Sequence, residues 1–276
     1  MFQTGLLKGK RILVTGGGSG LGAAMGRRFL ALGAELVICG RNHDRLEATA
    51  REMREETGGK VTTIACDIRD GAAVDSMMDA IWREAPLDIL VNNAAATFIA
   101  QTQHLSSRAA DAILAPTLHG AMYCTLAAGK RWIEGEHQGV VLSILSTSTI
   151  TGRAFTVPSA MAKSAVLAMT KSLAVEWGPK GIRSSRSRRV RSRPPASPDS
   201  SVPKAVTTAG PRAIRSGARA STASLPTSPA SWSRMAPATS MARWWSSTVA
   251  RICAVPAPRT CSAGARRNGP SSAPRG

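Results

Sequence analysis

The first 183 of the chain's 276 residues read as one α/β domain, a doubly wound parallel sheet with helices on both faces. Three observations predict this. Short β-rich apolar runs alternate with helical stretches of about ten or more residues, the length that parallel crossovers need. A glycine-rich turn, TGGGSGLG, stands between the first run and the first helix. At Arg183 the composition then changes so sharply that the remainder cannot share the same core.

The elements follow in order. RILVT, Arg11 to Thr15, is a compact strand, and the pattern from Leu21 to Leu32 is helical. Glu35 to Cys39 is a second apolar run, followed by a charged amphipathic helix from His43 to Thr57. Lys60 to Cys66 makes a third strand, Ala72 to Glu84 a helix, and Leu87 to Val91 a fourth strand. Ser106 to Ile133 reads as one long helix and Val140 to Leu145 as a fifth strand. A last helix from Pro158 to Gly178 stops at the Gly-Pro pair. Five parallel strands are therefore expected, with no internal repeat.

After Arg183 the chain is almost all Arg, Ser, Ala, Pro and Thr. Residues 184–276 hold 16 of the 36 Lys/Arg and one acid, Asp199, for a net of +15; the first 183 residues carry +4. Such a tail cannot bury enough apolar area to fold, and its charge suits non-specific contact with nucleic acid. The genetic code supplies a sharper reading. With G/C-rich codons regrouped one base earlier, Arg186 to Ala196 reads AIAPGPIPTTG. The same shift over Ile214 to Arg251 gives a Pro-containing turn, an amphipathic helix, and a strand ending in Asp-Gly-Gly. Trp and Met have single codons, so Trp244-Trp245 forces a Val and Met241-Ala242 a Gly in the shifted frame. The expected division is a dinucleotide-binding domain over 1–183 and a frameshifted, largely unstructured tail over 184–276.

The five cysteines are scattered, odd in number and without Cys-x-x-Cys spacing. This argues against a disulfide framework or a zinc site, and no metal is expected. The N-terminus lacks a signal-peptide core and no run approaches a membrane span, so the expected compartment is the cytoplasm.

The motifs carry the chemistry. In the stretch Thr15 to Gly22, which includes Ser19 and Leu21, Gly16, Gly20 and Gly22 permit a tight turn and close approach of backbone to a pyrophosphate at a helix N-terminus. Arg41 follows the second strand, where an acid would hold ribose hydroxyls and a base suits a 2′-phosphate. NADPH is therefore the expected cofactor, with NAD as the alternative. Asp67 ends the third strand, where a carboxylate can meet an adenine amine. Asn92, Asn93, Ala94 and Ala95 end the fourth, where small residues leave room for the cofactor.

TGGGSGLG, CDI, NNAA and SAMAK, in that order and spacing, resemble the short-chain dehydrogenase/reductase family over residues 8–183. The resemblance implies a Rossmann-like fold, a nicotinamide cofactor, and a homo-oligomer for intact members. It also implies that Lys163 holds the nicotinamide ribose. Most members place a Tyr four residues before that Lys as proton donor; here the position is Ser159. With NNAAATF and FTVPSAMAKSAVLAMTKSLAVEWGPKGIR, the chain is similar to the 2,4-dienoyl-CoA reductase branch, which shares Ser-x-x-x-Lys. That branch reduces a conjugated acyl-CoA thioester and holds the resulting dienolate oxygen with hydrogen-bond donors, so no alcohol forms. Its mitochondrial-type members use a Tyr where this chain has Ser148, and an Asn where it reads His119. His119 can donate a ring N–H to an enolate, or simply pack on its helix. Ser146 falls at the family's usual catalytic Ser, and Tyr123, the only tyrosine, reads as a core residue. Two other readings stand beside this one: a reductase of carbonyl substrates working through Ser146, and a non-catalytic protein with a basic, nucleic-acid-binding tail. Weak NADPH affinity and little catalysis are expected of the chain as written.

Overall fold

Period-two alternation in the strands and 3.6-residue stripes in the helices sort the apolar side chains into two layers, one on each face of a sheet. The computed structural model describes residues 5–189. The strands are β1 (Arg11–Thr15), β2 (Glu35–Gly40), β3 (Val61–Ala65), β4 (Ile89–Asn92), β5 (Gly139–Ser146) and β6 (Ile182–Arg189). All pair in parallel, in the order β3-β2-β1-β4-β5-β6. Ile12, Val14, Leu36 and Ile38 face one core, while Leu13, Val37 and Cys39 face the other. Helices α1 (Gly20–Ala31) and α2 (His43–Thr57) pack on the first face, through residues such as Phe29 and Met53. Helices α3 (Gly71–Glu84), α4 (Ser107–Leu114), α5 (Gly120–Glu134), the short α6 (Ser148–Thr151) and α7 (Val157–Glu176) follow. Of these, α3, α5 and α7 cover the second face, with Trp132 fully buried. The chain runs outward from β1 to β3, then returns to β4 on the other side of β1. That reversal opens a crevice at the carboxyl ends of β1 and β4, where doubly wound sheets bind ligands.

Caps fix where α2 and α3 begin. The Asn42 side chain accepts the Arg45 N–H at 2.8 Å, and Asp70 accepts the Ala72 N–H at 2.9 Å; each such cap is worth about 1 kcal/mol. The segment read as one helix from Ser106 to Ile133 is divided by a π turn, Ala115–His119. Pro116 lies in its first turn and lacks the N–H that would continue the α-helical ladder.

The expectation of five strands is corrected: β6 continues through Arg183 and pairs with β5 from Gly139↔Ile182 to Ser146↔Arg189. A parallel ladder is made by backbone groups, so an Arg/Ser run can occupy it once α7 delivers the chain to the sheet. One of its side chains fits the slot poorly. Ser184 is aligned with Val141, and its Oγ is buried without a hydrogen-bond partner. Ser187, aligned with Ile144, is also buried. The expectation of a largely unstructured tail over 184–276 is corrected for residues 184–189, which belong to β6; the rest of it, from residue 190 onward, lies outside the described residues. Among those described, no helix is long and apolar enough to cross a membrane. Cys39, Cys66 and Cys124 are free, buried thiols, and no cluster suited to a metal ion occurs among the described residues.

Candidate active site

The glycine turn is held from both sides. The Gly16 and Gly17 N–H groups donate to the Cys39 carbonyl, at 2.8 and 3.3 Å. A Cβ on Gly22 would lie 2.3 Å from the Gly16 carbonyl oxygen and 2.7 Å from Asn93 Nδ2. On Gly17, which sequence reasoning passed over, a Cβ would lie 2.5 Å from Ile38 Cγ2. Gly20 differs: nothing lies within 4 Å, but its φ of +52° requires a residue without Cβ strain. Ser19 stands at the N-cap of α1 and makes no side-chain cap bond, and the first turn carries no acid. The first N–H groups of α1 are thus left to an anion, so the turn fits a pyrophosphate. Leu21 packs against the core below.

Thr15 and Asn93 lace the ends of β1 and β4 together. Thr15 Oγ1 accepts the N–H groups of Asn93 and Ala94, at 3.0 and 3.1 Å. Asn93 Nδ2 donates to the Thr15 carbonyl at 2.9 Å. The side chain of Asn93 therefore shapes the crevice floor. Asn92, just before it, is buried against Thr125.

An open cleft of about 510 Å³ runs along the turn, lined by Gly16, Gly18, Ser19, Gly40, Arg41, Asn42, Arg45 and Leu46. Arg41 is in it as expected; Arg45 and Asn42 were not singled out from sequence. Their signal was an Asn followed by an Arg three residues on, at the start of a charged helix. Asp67, beyond β3, is gripped by Arg69, whose Nε donates to both carboxylate oxygens at 2.9 Å. Those bonds, with Arg41 a lesser contributor, hold the Asp67 carboxyl below the usual range.

The side chains expected to react stand at the end of β5 and on α7. Ser148 Oγ donates to Ser146 Oγ at 3.0 Å. Ser159 and Lys163 lie one turn apart on α7, and Lys163 Nζ donates to the Ile144 carbonyl at 2.6 Å. His119 closes the π turn that leads into α5. It is exposed, one turn before Tyr123 of α5, on a row that continues to Arg131, which binds Asp75 and Asp79 of α3. Its ring lies 6.2 Å from that of Tyr123, which packs against the second core.

Burial pushes the Lys163 ammonium down to about 8 from 10.5. Below the lower value both folded and unfolded chains carry the charge, and the folded one bears its desolvation. Between the two values the unfolded chain binds more protons, so stability rises with pH. Lys163→Met should lack that rise. Its stability relative to the parent should fall by about 2 kcal/mol between pH 7 and pH 10, as read by denaturant titration. A constant difference would contradict the assignment.

The family described as short chain dehydrogenase matches residues 10–186. A Bacillus subtilis protein named probable 2,4-dienoyl-CoA reductase is 40% identical over 176 residues, covering 63% of this chain and 69% of that protein. A Caenorhabditis elegans protein named probable 2,4-dienoyl-CoA reductase 3 is 42% identical over 185 residues, covering 66% and 60%. This chain thus spans less than two thirds of the nematode protein's length. The crystal structure of a short chain dehydrogenase from Mycobacterium smegmatis is 31% identical with a TM-score of 0.65, covering 68% of this chain and 79% of that one.

Proposed function

This chain belongs to the short-chain dehydrogenase family, and on that footing we propose that it is an NADPH-dependent reductase of conjugated enoyl- or dienoyl-CoA thioesters, impaired because its reading frame is lost after Arg183. One observation carries the reaction class: α7 presents a serine, Ser159, one turn before Lys163, while a hydroxyl pair, Ser146 and Ser148, stands at the end of β5. A serine is a far weaker acid than a phenol of pKa near 10, so proton donation to a carbonyl oxygen is poorly served. Hydrogen-bond donation to an enolate oxygen is well served. The names of the relatives point the same way.

NADPH, when bound, supplies a hydride to the far carbon of the conjugated system. A proton must then add at carbon to complete the reduction; the chain's own residues bind the cofactor and hold the charge that develops. The turn from Gly16 to Gly22 and the start of α1 take the pyrophosphate, and Arg41 takes the 2′-phosphate, the feature that favours NADPH over NADH. Lys163, which now donates to the Ile144 carbonyl, would hold the nicotinamide ribose. Ser146 and Ser148, with His119 as a further donor candidate, hold the thioester oxygen as charge develops on it.

The lost frame is supported by the break in composition at Arg183 and by β6. The regrouped text puts an isoleucine at position 187, where the present serine is buried beside Ile144. A chain with its frame restored after Arg183, incubated with NADPH and a 2,4-dienoyl-CoA, should consume the diene absorbance. The chain as written should not. Turnover of ketones alone would reject the thioester reading in favour of a carbonyl reductase.

A further inference from the structure

A thioester whose oxygen end is attended by Ser146, Ser148 and Ser159 carries an acyl chain that continues past the conjugated carbons. Those methylenes must lie either in water or on apolar surface, and the second is favoured. Such surface is concentrated on the segments that carry these hydroxyls and on their neighbour. Among the described residues, nine large apolar side chains stay exposed. Six of them lie on two segments: Phe98 and Ile99 after β4, and Ile150, Phe155, Val157 and Met161 from α6 into α7. The second segment is the one that joins Ser148 to Ser159, and both follow the carboxyl ends of paired strands. Exposed apolar residues scattered singly need no explanation, but a concentration of them marks a binding surface.

Phe155 is the member that the chain holds in place. Its carbonyl accepts the Ala100 N–H at 3.1 Å, which ties the stretch carrying Phe98 and Ile99 to the turn before α7. The Thr156 hydroxyl, next along the chain, donates to the Arg153 carbonyl at 3.3 Å and closes that turn. The backbone of Phe155 is left-handed, with φ +62°, a conformation that bulky residues rarely adopt. Burial does not offset this strain, because the residue is 50% exposed. Strained backbone that surrounding bonds hold fixed is characteristic of ligand sites, and here it presents a half-exposed aromatic ring four residues before Ser159.

We propose that Phe155, with Phe98 and Ile99 tied to its turn, is the platform on which the acyl chain of the thioester lies, and that it sets a preference for chains that extend well beyond the conjugated carbons. The inference rests on the reading of the substrate as an acyl-CoA thioester and names the part of that substrate this surface takes. A platform of this kind covers the chain on one side, so affinity should grow with each methylene by less than full burial would give.

The test is a calorimetric titration of the full chain with butanoyl-CoA and with decanoyl-CoA, kept below the concentration at which the longer thioester forms micelles. Decanoyl-CoA should bind about tenfold more tightly or better, where full burial would give about fourfold for every added methylene. Phe155→Gly should cut that ratio to about threefold or less, yet its thermal midpoint should stay level or rise, because glycine adopts a φ of +62° freely. Phe155→Leu should keep much of the ratio. Val175→Ser, which alters an exposed apolar side chain near the end of α7, should leave it unchanged. Equal binding of the two thioesters by the unaltered chain would overturn the inference and leave the thioester reading standing. An unchanged ratio in Phe155→Gly would overturn it too. A markedly lower midpoint in that variant would make Phe155 a structural residue and count against the platform. Loss of self-association in Phe155→Gly, read by sedimentation with the ratio kept, would assign the surface to a second copy of the chain instead. Failure of the unaltered chain to bind either thioester would reject the thioester reading, and this inference with it.

Discussion

Gly22→Ala should abolish measurable NADPH binding and lower stability by about 1–3 kcal/mol, the usual range for overpacking a filled site. The methyl group would lie 2.3 Å from the Gly16 carbonyl oxygen, a backbone atom that cannot swing aside. Relief requires α1 to move away from β1, and that opens the turn whose N–H groups face the pyrophosphate. Gly20→Ala is the matched control. Nothing lies within 4 Å there, so the cost is only the left-handed backbone at φ +52°, about 1 kcal/mol. Titration by nucleotide fluorescence beside thermal unfolding separates the two. Equal binding by both variants would mean that the turn does not hold the cofactor.

The second large effect lies in β6. Ser184→Val with Ser187→Ile should stabilise the chain by about 3 kcal/mol. Removing a buried hydroxyl that has no partner is worth about 1–3 kcal/mol. Burying an isoleucine at position 187 adds about 1.5–3 kcal/mol, offset by the contacts the serine gives up. Ser164→Ala, on the exposed side of α7, should change little. The midpoint of denaturant unfolding is the measurement. A neutral or lower midpoint for the double variant would mean that this strand suits its serines, and would count against a displaced reading frame.

The alternation of period in the sequence was enough to place β1 to β5, because strands buried on both faces leave continuous apolar runs. The glycine turn was legible for the same kind of reason: glycine is dictated by backbone conformation and close approach. Gly17 escaped because its constraint is Ile38 on the neighbouring strand, a contact that spacing does not encode. Pro116 could have signalled the π turn, but the residues on either side continue a helical pattern and masked it. β6 was missed because its side chains carry no strand pattern; it forms on backbone pairing with β5. The partnership of Asp67 with Arg69 was hidden for another reason. An acid at the end of β3 suggests a ligand, and whether it is already paired within the chain depends on the rotamer of the residue two positions on.

The most direct test of the account is the base sequence of the coding strand from codon 184 to codon 251, read one base earlier than the frame that yields this chain. The account predicts an open frame that runs Ala-Ile-Ala-Pro-Gly across codons 186–190 and reaches Asp-Gly-Gly close to codon 250. A stop codon in that frame, or text without those segments, would contradict it and return residues 184–276 to the status of a basic tail in its own right.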